Sequence, residues 1–407
     1  MNRDKKKTVK NIIISFIILI IILFSGCFER APKQEETMLP SLQASDLDVM
    51  ISEQLSWFTT ELEPSTGILK NHSQTEALNE YMLTAKVLLT LAQQNESYEH
   101  IVNTTIITII EAYEKEKTNV SLPSKAKLLE LLTQPGIALN VSSTIADLGS
   151  ELESYQQENY TFNTTPILSI DAAQFLLAIV SYEQVVNNQS LSTLVDQSIT
   201  QYQTLITNVL ASDETIEQKE YMLHYFTEAF KTYYDEHQMK SDIFNFITRL
   251  NMGLIYNQET VDQNTLGQYQ GFSMRNPNQY HLDALHQIMS AYSVSKNIEI
   301  DENGSNLKQS VILGLIYLKN NLAENTTMSL ETMDQLKLIL VLNQAQNLLE
   351  EDNYTYLWDA SNQLLIEGRS LETSPTLWML LTIGVMGSIG LLALLYIVIQ
   401  LYYKNKQ

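Results

Sequence analysis

Between residues 47 and 367 the apolar positions recur at spacings of three and four, the signature of helices that each bury one face. The pattern predicts helices over 47–62, 75–95, 98–116, 122–134, 142–157, 167–187, 190–211, 215–236, 240–258, 278–296, 305–323, 328–350 and 355–367. No stretch alternates clearly enough to read as a strand. Glycine and proline, 13 and 8 in 407 residues, are too scarce to break these helices often. Every second helix starts at about 75, 122, 167, 215, 278 and 328, a step of about 48 that lengthens once, across the loop Asn257 to Asn276. A fixed period of that size signals an all-α fold of repeated antiparallel helical hairpins behind one leading helix.

The two ends break the pattern. Lys5, Lys6, Lys7 and Lys10 precede an apolar run from Ile12 to Phe24, followed by Ser25, Gly26 and Cys27. A basic region, a short apolar region and small residues describe a secretory signal, and the run is short for a membrane-spanning helix. Leu23-Phe24-Ser25-Gly26-Cys27 resembles a lipoprotein lipobox, which implies lipidation at Cys27; Phe24 departs from the aliphatic residue usual there. Cys27 is the sole cysteine, so it has no internal disulfide partner. The alternative is an uncleaved N-terminal anchor. At the other end, Pro375 precedes an uncharged apolar run from Leu377 to Ile399, long enough as a helix to cross a bilayer. Trp378, Tyr402 and Tyr403 flank it, and Lys404 and Lys406 close it on the cytoplasmic side. The chain therefore divides into a signal or anchor (1–27), a tether (28–45), an extracytoplasmic helical domain (46–370), a transmembrane helix (375–403) and a short basic tail (404–407). The expected location is the cell membrane, single-pass, with the main domain outside and the C-terminus in the cytoplasm.

Charge narrows the choice of partners. The chain carries 25 basic and 47 acidic residues, a net charge of -22. Without Arg3, the terminal lysines and Asp4, the segment between the apolar runs holds 18 basic and 46 acidic residues. Such a field repels phosphate backbones and excludes nucleic acid as a partner. Eleven Asn-x-Ser/Thr sequons fall in that segment and none in the apolar ends: Asn71, Asn95, Asn103, Asn119, Asn140, Asn159, Asn163, Asn188, Asn303, Asn325 and Asn353. They mark a glycoprotein surface, and together with a lipobox-like signal and no cysteine pair they look more archaeal than eukaryotic.

The joints repeat as well. Asn95-Glu96-Ser97-Tyr98 and Asp352-Asn353-Tyr354-Thr355 both join a long apolar helix to a segment opening on tyrosine. Thr66-Gly67-Ile68-Leu69-Lys70-Asn71 is echoed by Gln270-Gly271-Phe272-Ser273-Met274-Arg275-Asn276. With these joints and six hairpins, residues 46 to 368 resemble the (α/α)6-toroid superfamily: N-acylglucosamine 2-epimerase-like proteins, glucuronyl C5-epimerases, polysaccharide lyases and several glycosidases. The resemblance implies a central funnel that binds sugars, lined by inner-helix N-termini and their loops. None of the catalytic signatures of those families is intact here.

The segment Gly267 to His286 is the richest in chemistry. It offers Arg275 for a substrate carboxylate, Tyr269 and Tyr280 for stacking on a sugar face, and His281 with Asp283 as a catalytic pair for proton transfer. Equally, it reads as a polar loop capped at Asn278. Carboxylates near inner-helix starts (Glu76, Glu80, Asp171, Glu220, Asp283) are too many to single out a hydrolytic pair. Tyr221, Tyr225, Tyr233 and Tyr234 fit either a funnel lining or helix packing. No metal site is expected: His281 and His286 are five apart, and His224 with Glu228 supplies only two ligands. No cofactor motif is present either. Two functions fit: a toroid that binds or processes glycans, or a non-catalytic surface scaffold whose helical array engages protein partners.

Overall fold

The computed structural model describes residues 41–71, 77–186, 188–211, 223–237, 245–251, 277–295, 302–323, 331–349, 354–359 and 364–369. All belong to the unit Ser41–Gln407. Strand β1 (Ser41–Gln43) leads into α1 (Ala44–Glu61), and a short hairpin of β2 (Leu62–Glu63) and β3 (Ile68–Leu69) follows. Then come α2 (Ala77–Gln94), α3 (Glu99–Glu116), α4 (Leu122–Leu132), α5 (Ser142–Ser154), α6 (Ile170–Val186), α7 (Gln189–Leu210) and α8 (Thr227–His237). A helical segment at 245–251, α9 (Pro277–Ser295), α10 (Glu302–Ala323) and α11 (Thr332–Leu348) lead to strands β4 (Tyr354–Asp359) and β5 (Leu364–Arg369). Among the described residues no helix is long and apolar enough to cross a membrane. The apolar ends of the chain, with Cys27, lie outside them.

The helices form two layers. α2 packs on α4, α4 on α6, α6 on α8, α8 on α9, α9 on α11, and α11 back on α2, so the inner layer is a closed ring. Outside it, α3 covers α2, α5 covers α4 and α6, α7 covers α6, and α10 covers α9. Phe246 of the segment 245–251 stacks on Phe230 of α8 with ring centroids 4.7 Å apart. The sequence explains the division. α6 buries Ala172, Ala173, Phe175, Leu176, Ala178, Ile179, Val180 and Tyr182, nearly its whole circumference. α3 buries one stripe, Val102, Thr105, Ile106, Ile109 and Tyr113, and turns its charges outward. Caps set the boundaries: Asn95, Ser121 and Asn188 each accept a backbone N–H two or three residues on.

Cross-helix pairs show that neighbouring inner helices run parallel. Lys337 Nζ donates to Asp283 Oδ1 at 2.8 Å and Gln344 Nε2 to Ser290 Oγ at 2.9 Å, both across 54 residues of sequence. On the other side of the ring, Ser124 Oγ reaches Asn79 Oδ1 and Lys86 pairs with Glu130 at nearly equal offsets. The periodicity of the sequence is thus a repeated parallel stacking of inner helices.

Two expectations need correction. The stretch 355–367 is not the outer helix of a sixth hairpin: β4 and β5 pair antiparallel, and β1 joins them through Ser41–Leu357, Leu42–Tyr356 and Gln43–Thr355. Tyr354, Tyr356 and Trp358 alternate with Thr355, Leu357 and Asp359, and aromatic and β-branched residues favour a pleated strand once a partner is available. Nor is the leading helix an addition to six hairpins. α1 packs on α11 and covers the inner helix that would otherwise lack an outer layer. Lys319 ties this closure, donating to the Ser41 carbonyl at 2.9 Å and pairing with Asp46 at 2.7 Å.

Of the sequons, Asn71, Asn95, Asn119, Asn140, Asn159, Asn163 and Asn188 are exposed and outside α-helices. Asn103 is half-buried within α3, Asn303 lies in α10, and Asn325 and Asn353 fall outside the described residues.

His281 belongs to the packing between layers. It is fully buried, its Nε2 lies 3.2 Å from the Gly314 carbonyl, and its ring sits 4.6 Å from that of Tyr317 on α10. Burial lowers its pKa from 6.5 to about 4, against the raising effect of the Gly314 contact. Between those values the unfolded chain binds a proton that the folded chain refuses, so stability falls as pH drops from 6.5 to 4. His281→Gln should remove up to about 3 kcal/mol of that acid-side loss. Urea unfolding at a series of pH values measures it, and an unchanged slope would show that His281 does not fold as a buried neutral group. A second test concerns Gly67. Its φ is +69°, and a Cβ there would stand 2.0 Å from Thr105 Oγ1, the hydroxyl that donates to its carbonyl. Gly67→Ala should cost about 2–4 kcal/mol, read from the same unfolding curves.

Candidate functional site

Each inner helix is buried on most of its surface, and the side chains left accessible follow a stripe spaced by three and four: Leu83, Lys86 and Thr90 on α2, Asp171, Gln174 and Leu177 on α6, and Asp283 and His286 on α9. Ser124 and Lys127 continue it on α4, Glu228 on α8, and Asp334, Lys337 and Leu340 on α11. The electrostatic environment of Lys127 shows where these stripes point. Burial lowers its pKa most, Lys337 and Lys86 lower it further, and Asp171 and Asp283 oppose them. Those four groups come from α11, α2, α6 and α9. Side chains from the far sides of a ring can meet only at its axis, so the stripes face a common lumen. Lys127 is accessible yet enclosed, as expected of a side chain inside a water-filled channel.

Two constellations stand on this wall. One is charged: Lys337 pairs with Asp283 at 2.8 Å, and Lys86 pairs with Glu130, whose other oxygen accepts from Gln134 at 2.9 Å. The other links α8, α9 and α11 around Glu228. His286 Nε2 faces Glu228 Oε1 at 3.5 Å, and His286 Nδ1 lies 2.6 Å from Gln344 Oε1. Gln344 Nε2 donates to Ser290 Oγ, so its Oε1 is the accepting atom and His286 Nδ1 carries a hydrogen. Ser290 in turn hydrogen-bonds Glu228, closing the circuit. Burial pushes the Glu228 carboxyl up, but His286, Lys231, the Ser290 hydrogen bond and Lys86 outweigh it and hold the pKa below the ordinary value. Glu228 is therefore a carboxylate at neutral pH, beside an imidazole with a hydrogen fixed on its far nitrogen. That is a usable proton acceptor, and with Asp283 one turn below His286 the wall carries a second accessible carboxylate.

The sequence-expected site is only partly assembled here. Tyr269 and Arg275 lie outside the described residues, and Tyr280 is in the first turn of α9. Asp283 is on the lumen wall, but His281 is two residues away on a helix and so points to the opposite side. The proton pair expected of His281 and Asp283 is not formed; His286, three residues on, shares the Asp283 face. Asp171 is accessible, Glu80 is buried, and Glu76, Glu220 and Tyr221 fall outside the described residues. Tyr233 is buried and donates to Asp196 at 2.6 Å, while Tyr225 packs on His224 with centroids 4.3 Å apart. Among the described residues no group of three or more His, Cys, Asp or Glu side chains is placed to hold a metal ion.

Sequence reasoning missed Lys86, Lys127, Lys337 and the role of His286 with Glu228. A signal was present. Lys337 interrupts Leu336 to Leu342 and Lys86 interrupts Met82 to Leu89, runs that are otherwise almost wholly apolar. A charge in a helix buried all round must reach either a partner or internal water.

Neither a known family model nor a characterised protein sequence matches this chain. Its fold does match solved structures. An α-1,6-mannanase from Salegentibacter sp. HEL1_6 superposes with a TM-score of 0.53 at 10% identity, covering 75% of this chain and 100% of the mannanase. An inactive variant of that enzyme, with two consecutive aspartates replaced, in complex with α-1,6-mannotriose gives 0.52. The unsaturated glucuronyl hydrolase of Streptococcus agalactiae gives 0.51 at 10% identity, covering 78% of this chain and 96% of that one. At this identity the likeness establishes architecture alone: the extended helical domain of this chain has the (α/α)6-toroid fold.

Proposed function

We propose that this chain is a membrane-anchored surface protein whose toroid binds or processes glycans in its lumen. The observation that carries the proposal is the convergence of accessible ionisable side chains from all six inner helices, with Glu228, His286 and Asp283 on one wall. Inner-helix packing alone would be served by apolar side chains, and a charge in such a wall is costly unless it is paired or hydrated. Architecture adds support, since the mannanase with this fold is seen with mannooligosaccharides in its inactive forms. Anchoring rests on the sequence, on the apolar run Leu377–Ile399 and on the lipobox-like segment ending at Cys27.

If the lumen turns over a glycan, Glu228 and Asp283 are the carboxylates we assign to it. This chain contains no two consecutive aspartates, so the paired aspartates of the mannanase have no counterpart in its sequence. The test uses the full chain in detergent, titrated with a panel of neutral and acidic oligosaccharides and assayed for reducing-end release. Glu228→Gln should lower any turnover by roughly 10²- to 10⁴-fold while leaving binding within a few-fold. If no saccharide binds, the glycan reading is lost and the array is better regarded as a surface for protein partners.

A further inference from the structure

The lysines of the lumen are unevenly satisfied. Lys86 and Lys337 each have a carboxylate partner, Glu130 and Asp283. Lys127, between them on the ring, makes no hydrogen bond or ion pair with any described residue. The three come from α11, α2 and α4, which are consecutive around the ring, so one arc of the wall is cationic. His286 and Glu228 stand on the facing arc. This clustering occurs in a chain with 47 acidic and only 25 basic residues, where ammonium groups have abundant carboxylates to pair with elsewhere. Gathering three of them against mutual repulsion works against stability unless something anionic enters. A solvated surface lysine would avoid its like; Lys127 is instead held among them, with water as its remaining neighbour. The downward shift of its pKa, led by burial and added to by Lys337 and Lys86, is the same repulsion seen from the proton's side.

We infer that Lys127, flanked by Lys86 and Lys337, is a subsite for the anionic group of an acidic saccharide, a carboxylate or a sulfate on a sugar ring. This rests on the glycan reading above and narrows it. A neutral sugar would leave the arc uncompensated, while one anionic group at Lys127 would meet an unshared ammonium and two partly neutralised ones. With the anion held there, the rest of the sugar extends toward Glu228 and His286 across the lumen.

The experiment titrates the full-length chain in detergent with three probes: trigalacturonate for a carboxylate, a κ-carrageenan tetrasaccharide for a sulfate, and α-1,6-mannotriose as the neutral control. One of the acidic probes should bind at least tenfold more tightly than mannotriose, and which one does so tells carboxylate from sulfate. Lys127→Met should reduce that affinity on the order of 10- to 100-fold and abolish the preference, while Lys127→Arg keeps it. Both variants should melt with the parent protein, because Lys127 is accessible and makes no internal bond. Equal or tighter binding of mannotriose, or an acidic preference that survives Lys127→Met, would overturn the inference and leave the glycan reading standing. Binding of none of the three, in a panel where no other sugar binds either, would remove both.

Discussion

Closure of the inner ring is the constraint on which the rest depends. When α11 returns to α2, every inner helix has an inner neighbour on each side and an outer layer behind it, so only one stripe remains uncovered. Apolar residues fill the three covered directions, and α6 shows how completely: eight of its apolar residues are buried, with Ser181 and Glu183 buried among them. Any charge that an inner helix carries must then pair with a neighbour or stand in the lumen. Lys86, Lys127, Asp283 and Lys337 obey that rule, and their chemistry is concentrated by packing rather than by a local motif.

The same constraint explains the behaviour of polar groups that are not in the lumen. His281 is neutral because it faces α10, where a positive charge would have no water. Glu228 is ionised because its helix turns it to the lumen, where His286, Lys231 and Ser290 stabilise the charge. Two titratable groups on adjacent inner helices are driven in opposite directions by which side of the wall they occupy. Function in this fold is therefore decided by helix rotation as much as by residue identity.

Much of the architecture was legible in the chain, because helical hairpins announce themselves through spacing and period. Predicted inner helices at 75–95, 122–134, 167–187, 278–296 and 328–350 agree with α2, α4, α6, α9 and α11 to within a few residues. The last element was not legible. Residues 354–369 become strands through pairing with β1, more than 300 residues away, and no local pattern reveals a partner at that distance. The site was half legible. Asp283 was found from its place near a helix start, but pairing it with His281 ignored that residues two apart on a helix face opposite ways. The lysines of the wall were passed over because each, taken alone, is an ordinary lysine in a helix. Their meaning comes from three helices spread between residues 77 and 348.

The small sheet has a mechanical consequence. The chain enters the toroid at Ser41 on β1 and is last described at Arg369 on β5, with β4 between the two strands. From strand spacing and register those two points are roughly 15 Å apart. A toroid whose chain entered and left on opposite sides would be stretched by any tension between its ends. Here both leads leave from one patch, and a pull on either is taken up first by the ladder Ser41–Leu357, Leu42–Tyr356, Gln43–Thr355 and by the Lys319 clamp behind it. The ring is thus hung from a single point, free to swivel as one body while its bore keeps its shape.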